Sequence, residues 1–128
     1  MKALVDTHAL LWWLAGDDRL SPRAQELLAD SAHQRLVSAA SLWEIAIKFN
    51  SGRLTAAGLT LREIAQELQR QRFLLLPVRL EDLLRLEELP WLHRDPFDRL
   101  ILAQAIQEAI PLLTADRLIT QYQFETIW

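Results

Sequence analysis

Short apolar runs alternate along the chain with longer segments whose apolar residues recur at helical spacing. The runs predict strands at residues 3–5, 35–38, 73–78, 112–114 and 124–128. Runs such as 73–78 are apolar at successive positions, so both faces of these strands are expected to be buried. Strands of this kind that are separated by helices are typical of a parallel sheet. We therefore predict an α/β fold with a mainly parallel sheet of four to five strands and helices on both faces.

The intervening segments carry recognisable helix start signals. Ser21 precedes a proline at the first helical position, and Thr60 and Glu63 have the spacing of a capping box. Helices are predicted at about 8–15, 22–32, 41–50, from 61, 80–89, 96–109 and 117–121. Gly52 is expected to end the third of them.

Length and composition indicate a single domain without disulfides or membrane-spanning segments. The 128 residues fit one domain, 1–128, and the absence of cysteine excludes disulfides and thiolate-bound zinc. The longest apolar stretch, 9–15, is far shorter than the roughly 20 residues that span a bilayer. We expect a cytoplasmic protein that does not enter the membrane. A net charge of −3 gives no general signature of nucleic-acid binding, so such binding would need a local basic patch or a bound metal.

Four acidic residues that are far apart in the sequence are expected at one edge of the sheet. Asp6 and Asp116 follow predicted strands, while Glu44 and Asp98 lie near the starts of largely apolar helices. Ligands of open α/β sheets bind at the carboxyl ends of the strands. Clustered carboxylates repel one another unless a cation neutralises them. The four residues therefore predict a divalent-metal site, with phosphate esters as the substrate class.

Each acid also has a purely structural interpretation. Asp6 and Asp116 can cap the helices that follow them. Glu44 can form a surface ion pair with Lys48 at i,i+4 spacing.

Asp95 can cap the long helix, with Asp98 complementing its dipole. Two features favour the metal site over these interpretations. Asp98 shares a helix face with apolar residues, and Glu44 lies in a helix that has almost no polar face. A carboxylate that points toward the core needs a partner.

Four segments together resemble the signatures of a known family. They are residues 5–12 (VDTHALLW), 41–48 (SLWEIAIK), 93–99 (HRDPFDR) and 114–116 (TAD). In this order they resemble the PIN domain, and most of all the VapC-type toxins of bacterial toxin–antitoxin systems, over essentially the whole chain. The resemblance implies a PIN-like sandwich of helices around the sheet. It also implies a ribonuclease that depends on Mg²⁺ or Mn²⁺.

The acidic residues of that family carry over onto Asp6, Glu44, Asp98 and Asp116, and Asp95 is an additional acid in the same motif. We expect Asp6 and Asp98 to be direct ligands, because Mg²⁺ usually binds one or two carboxylates and keeps several waters. Glu44 and Asp116 are expected to act through water or to hold a second ion. Hydroxyl groups that can support the ligands belong to Thr7, Ser41 and Thr114.

Basic side chains near the acidic motif can contact RNA or play a structural part. Arg94 and Arg99 can bind phosphates, or Arg99 can form an i,i+4 ion pair with Asp95. His8 and His93 are not our first choice as ligands or bases, because Mg²⁺ disfavours imidazole.

The family resemblance also implies partners. These are an RNA substrate, a small antitoxin whose tail blocks the acidic site, and a second copy in a homodimer. Aromatic residues at a surface often anchor a partner. A groove for the antitoxin is therefore predicted at Trp12, Trp13, Trp43 and Ile47. The alternative is that the tryptophans are partly exposed core residues.

Two other classes of function share parts of this pattern. A phosphatase of the haloacid dehalogenase kind needs a second aspartate two positions after Asp6, where this chain has His8, so that class is rejected. A catalytically idle nucleic-acid-binding or regulatory α/β module remains open, although the intact acidic set argues against it.

Overall fold

Five strands form one sheet in which every neighbouring pair is parallel. The structure is a computed structural model that describes residues 1–49, 55 and 57–128. The strand order is β3-β2-β1-β4-β5. The strands are β1 (Lys2–Val5), β2 (Gln34–Ser38), β3 (Leu74–Leu76), β4 (Leu112–Leu113) and β5 (Thr126–Ile127). The predicted α/β architecture with a parallel sheet is confirmed.

Helices connect the strands, and several of them begin at the predicted capping residues. Thr60 and Glu63 form the predicted capping box, and Asp6, Ser21 and Asp95 each accept a backbone hydrogen bond at a helix start. The described helices are α1 (Thr7–Ala15), α2 (Pro22–Ala29), α3 (Ala39–Lys48), α4 (Leu61–Arg70), α5 (Leu80–Glu88), α6 (Pro96–Glu108) and α7 (Arg117–Thr120). The predicted end of the third helix, at Asn50 and Gly52, lies outside the described residues.

Some element boundaries differ from the prediction for identifiable reasons. The strand predicted over 73–78 is limited to β3, because β3 is an edge strand and Pro77 has no N–H to donate. Leu74 and Leu75 are consequently exposed. Helix α3 starts at Ala39 rather than residue 41, because Ser38 caps it. Helix α2 ends at Ala29, earlier than predicted.

The sheet divides the apolar core into two clusters. Alternate residues of β1 point to opposite faces, with Ala3 and Val5 in one cluster and Leu4 in the other. Both faces are therefore covered by helices, as the continuous apolar strands predicted. Among the described helices, none is long and apolar enough to cross a membrane. The carboxyl ends of the central strands are the edge from which α1, α3 and α7 depart.

Candidate metal centre

The four predicted acids converge at the carboxyl edge of the sheet. Asp6 directly follows β1, and Asp116 lies between β4 and α7. Glu44 lies on α3, the helix that follows β2, and Asp98 lies in the first turn of α6. Asp6, Glu44 and Asp98 are buried, whereas Asp116 is half-buried. Elements from the whole length of the chain thus supply one cluster of carboxylates.

Asp6 and Asp116 combine helix capping with a position in the cluster. One oxygen of Asp6 accepts from the backbone N–H of Ala9 at 2.8 Å, and the other accepts from the hydroxyl of Thr114. Asp116 likewise caps α7 with Oδ1, while its Oδ2 faces His93. The capping interpretation is therefore correct for both residues, but it accounts for only one oxygen of each.

Asp98 lies in a repulsive electrostatic environment. Burial and the neighbouring charge of Asp95, followed by those of Asp6 and Glu44, raise the pKa of Asp98 to about 7. His93 opposes that increase. A carboxyl group that is half-protonated near neutral pH is one whose charge lacks sufficient compensation.

The pKa of Asp6 is also raised, to about 6, and burial is the main cause. The charge of Asp116 adds to the increase, whereas hydrogen bonds from Thr114 and Ala9 and the charge of His8 oppose it. Two neighbouring buried acids with raised pKa values indicate a site that a cation would stabilise.

Glu44 forms the predicted pair with Lys48, but not as a surface pair. The Nζ of Lys48 lies 2.7 Å from Oε2 of Glu44, whose side chain is almost completely buried. The other carboxylate oxygen, Oε1, is buried and has no hydrogen-bond partner among the described residues. The pKa of Lys48 is raised by this hydrogen bond and by the charges of Glu44, Asp95 and Asp98. Lys48 thus supplies part of the positive charge that the cluster needs, and one oxygen of Glu44 remains available.

The predicted hydroxyl residues differ in their contacts. Thr114 donates to Asp6 and accepts from the backbone N–H of Asp116 at 3.0 Å, so it links two of the acids. Thr7 donates to the hydroxyl of Ser41 at 2.9 Å, and both residues are buried. Thr7 and Ser41 therefore join the starts of α1 and α3 beneath the site.

His93 is a buried member of the site that was not among our first choices from the sequence. Its Nε2 lies 2.7 Å from Oδ2 of Asp116 and 3.3 Å from Oδ2 of Asp98. The potential ligand atoms of these three residues all lie within 4.8 Å of one another. The available sequence signal was the position of His93 two residues before Asp95. His8, by contrast, is exposed.

The two arginines of the acidic motif have different surroundings. Arg99 is buried, its Nη2 donates to the carbonyl oxygen of Leu89 at 3.0 Å, and its guanidinium lies 3.8 Å from the ring centroid of Trp91. These contacts hold the guanidinium of Arg99 against the preceding loop, and its phosphate contact stays a prediction. Arg94 is exposed. The alternative ion pair between Asp95 and Arg99 does not form within the described part of the chain, where Asp95 instead caps α6.

The predicted groove residues lie on two helices beside the acids. Trp43 and Ile47 are exposed on α3, and the ring of Trp43 packs edge-on against Phe97 at 5.0 Å. Trp12 and Trp13 are half-buried against the core. A cavity of about 280 Å³ next to Glu44 is lined partly by Trp12 and Lys48. The structure thus brings Trp12 close to the site but leaves Trp13 as a packing residue.

The donor set fits a hard divalent cation. Carboxylate oxygens are the ligands that Mg²⁺ and Mn²⁺ prefer. Oε1 of Glu44 has no hydrogen-bond partner among the described residues, and the pKa values of Asp6 and Asp98 are raised. A cation bound between these acids would stabilise their charged forms. Within the described residues, Asp98, Asp116 and His93 have potential ligand atoms close enough to share one ion. Asp6 and Glu44 are neighbouring acids whose charges act on Asp98.

Comparisons with known proteins agree with this architecture. A family model of the PIN domain matches residues 3–125. A comparison with curated protein sequences gave no match.

Three solved structures with a similar fold come from bacteria. VapBC2 from Rickettsia felis, bound to a DNA fragment from its promoter, is 16% identical with a TM-score of 0.70 and coverage of 100% of this chain and 98% of that one. VapC20 from Mycobacterium tuberculosis, a sarcin-ricin loop cleaving toxin, is 16% identical with a TM-score of 0.69 and coverage of 98% of both chains. DNA-bound VapBC from Salmonella typhimurium is 12% identical with a TM-score of 0.71, and the match covers 100% of this chain and 97% of that one. At these identities the likeness demonstrates a shared fold.

Proposed function

Because the chain belongs to the PIN domain family, we propose that it is a metal-dependent endoribonuclease that acts as the toxin of a toxin–antitoxin pair. The observation that carries the proposal is the burial of Asp6, Glu44 and Asp98 in one cluster, together with the raised pKa values of Asp6 and Asp98. A structural role does not require several buried acids to face one another. A reaction on a phosphodiester that depends on a cation requires such a cluster, because the acids bind the cation.

In this proposal Asp6 and Asp98 would bind Mg²⁺ or Mn²⁺ directly, while Glu44 and Asp116 would act through water or hold a second ion. Such an ion lowers the pKa of a coordinated water and stabilises charge on phosphoryl oxygens. Thr114 holds Asp6 in its orientation through the hydroxyl hydrogen bond. The exposed Arg94 binds a phosphate of the RNA.

We propose that the partners follow the same family pattern. The similar structures include two VapBC complexes and one sarcin-ricin loop cleaving toxin, and they support an antitoxin partner and an RNA substrate for this chain. An arginine of the antitoxin tail, whose charge is fixed, would replace the cation among the acids. Apolar residues of the tail would then lie against Trp12, Trp43 and Ile47. We further propose that residues 1–128 act as a single domain, as a homodimer in the cytoplasm.

The experiment that tests this function is cleavage of RNA by the purified protein with Mn²⁺ or Mg²⁺, with EDTA, and in the variants Asp6→Asn and Asp98→Asn. Each substitution keeps the size of the side chain but removes a charged ligand. We expect cleavage only with the cation. Each variant should lose more than about 100-fold in cleavage rate, because removing a residue that contacts the metal ligands already costs about 10–100-fold and removing a ligand should cost more. Cleavage at the wild-type rate in EDTA, or in both variants, would contradict the proposal.

The same experiment distinguishes the idle-module alternative. A protein that binds RNA but leaves it intact with either cation would be a binding module. Circular dichroism of the variants provides the control that a loss of cleavage is not a loss of folding.

A further inference from the structure

His93 touches two of the proposed acids, and its ring is held at both nitrogen atoms. We propose that His93 is a positioning residue whose Nε2–H holds the carboxylates of Asp98 and Asp116 in place, and that it is not a ligand of the cation. The inference rests on the proposed function for the meaning of the site, but its geometry can be tested without any metal.

The hydrogen bond at Nδ1 determines where the proton of the neutral ring resides. The backbone N–H of Asp95 donates to Nδ1 of His93 at 3.0 Å. Because a backbone amide can only donate here, Nδ1 must be the acceptor, and the ring proton must therefore be on Nε2. An imidazole nitrogen that carries a proton has no lone pair to offer to a metal. Coordination by Nε2 would thus require the bond to Asp95 to break.

The loop around His93 keeps that arrangement fixed. The backbone N–H of His93 donates to the hydroxyl of Tyr122 at 2.7 Å, which anchors the residue to the segment that follows α7. Asp95 is the N-cap of α6, and its carboxylate accepts from the backbone N–H groups of Phe97 and Asp98. The amide that donates to Nδ1 therefore belongs to the rigid start of the helix that carries Asp98.

The proton on Nε2 is donated to Asp116, and Asp98 lies within ion-pair distance of the same nitrogen. Asp116 Oδ2 lies 2.7 Å from Nε2 and Asp98 Oδ2 lies 3.3 Å from it. Asp116 is the more exposed of the two acids and lies on the loop after β4. Without a donor between them, repulsion would favour rotation of Asp116 toward solvent. His93 thus keeps the oxygens of both acids turned toward the site.

This role also has a consequence for the choice of metal. Zinc readily accepts imidazole, whereas Mg²⁺ and Mn²⁺ favour oxygen ligands. Because Nε2 is already protonated and engaged, the cluster presents only oxygen atoms, although a histidine lies within reach of it.

Two uncharged substitutions separate the two halves of the ring. In His93→Asn, the amide oxygen can take the place of Nδ1 and keep the bond from Asp95, but the donor to the acids is lost. In His93→Gln, the amide nitrogen can take the place of Nε2 and donate to Asp98 and Asp116, but the bond from Asp95 is lost. If His93 positions the acids, His93→Gln should retain Mn²⁺ affinity, while His93→Asn should weaken it by about 10–100-fold, as for an outer partner.

The Mn²⁺ dissociation constants can be measured by electron paramagnetic resonance, with thermal unfolding as the control for folding. If His93 only supports the loop, His93→Gln will bind Mn²⁺ more weakly than His93→Asn. If His93 is a ligand, both variants will bind Mn²⁺ more weakly than the wild-type protein, and both will also bind Zn²⁺ more weakly. Either result would overturn the inference.

Nuclear magnetic resonance of the metal-free protein provides the independent test. The ¹⁵N spectrum of His93 should show Nε2 protonated and Nδ1 unprotonated, and the carboxyl ¹³C signal of Asp116 should change in His93→Asn but not in His93→Gln. A proton on Nδ1, or an equal change in both variants, would overturn the role of His93. Failure of the wild-type protein to bind Mn²⁺ would instead refute the proposed function, so the two failures are distinguishable.

Discussion

Two buried acids in neighbouring helices have opposite surroundings. Asp82 lies in the first turn of α5 and Asp98 in the first turn of α6. Both residues are buried, with exposed fractions of 2% for Asp82 and 6% for Asp98. The carboxylate of Asp82 accepts from the backbone N–H of Arg79 at 2.8 Å and from the amide of Gln104 at 3.3 Å. Asp98 instead faces other acids, and Nε2 of His93 lies 3.3 Å from its Oδ2.

The comparison shows that burial alone does not identify a functional carboxylate. Neutral donors satisfy Asp82, so its charge stabilises the start of α5 and the packing of α5 on α6. The charge of Asp98 is opposed by Asp95, Asp6 and Glu44. We therefore interpret Asp82 as structural and Asp98 as part of a site that a cation completes.

The largest difference is expected in the response to metal. Mn²⁺ at 100 times its dissociation constant should add about 2.7 kcal/mol to the free energy of unfolding of the wild-type protein. Asp82→Asn should respond in the same way, whereas Asp98→Asn should gain much less at the same concentration. Chemical unfolding with and without Mn²⁺ measures this, and an equal gain in Asp98→Asn would show that Asp98 is not a ligand.

Stability without metal should show the reverse order. Asp82→Ala removes a helix-start bond and leaves the buried amide of Gln104 with the carbonyl of Pro77 but without its second acceptor, which should cost about 2 kcal/mol. Asp98→Asn should be as stable as the wild-type protein or more stable, because it relieves repulsion. The measurement is urea unfolding in EDTA. A marked loss of stability in Asp98→Asn would mean that Asp98 is itself a structural partner.

The pH dependence of metal-free stability should also test the environment of Asp98. Asp98 has a pKa of about 7 in the folded protein against an ordinary value of 3.8, so the folded state holds the proton more tightly. The free energy of unfolding should therefore fall as pH rises from the ordinary pKa toward the pKa of the folded protein. The fall should exceed about 1 kcal/mol between pH 5 and pH 8. Asp98→Asn should show a smaller fall than the wild-type protein. Identical pH profiles for wild type and Asp98→Asn would contradict the assigned environment.

The smallest effect concerns two neighbouring residues of α3. Trp43 is 58% exposed, whereas Glu44 is 1% exposed, so only the former can serve as a surface anchor. With the cognate antitoxin, Trp43→Ala should weaken binding by more than about 1 kcal/mol while leaving the affinity for Mn²⁺ intact. Calorimetric titration of both ligands tests this. Unchanged antitoxin binding would mean that the groove lies elsewhere, and a loss of folding would make Trp43 a core residue.

Much of this fold could be predicted from local sequence. The apolar runs identified the parallel sheet because both faces of β1, β2 and β4 are covered, and capping residues such as Thr60 set helix starts through short-range hydrogen bonds. The proximity of Asp6, Glu44, Asp98 and Asp116 followed from the rule that parallel strands present their carboxyl ends at one edge.

Contacts between distant segments could not be predicted in this way. The motif that contains Arg99 suggested a phosphate contact or a pair with Asp95, but the ring of Trp91 and the carbonyl of Leu89 in the preceding loop engage the guanidinium. The importance of His93 depends on Asp116, which lies 23 positions away on another element. Sequence spacing contains no information about either arrangement.

The most direct test of the central claim is the titration of the Asp98 carboxyl group by ¹³C nuclear magnetic resonance, with Asp98→Asn used to assign the signal. In the absence of metal, the group should titrate near pH 7. With saturating Mg²⁺, its midpoint should move well below that value, because a bound cation favours the carboxylate. A midpoint near 3.8 without metal, or one that Mg²⁺ does not change, would contradict the account of Asp98 as a ligand in a repulsive site.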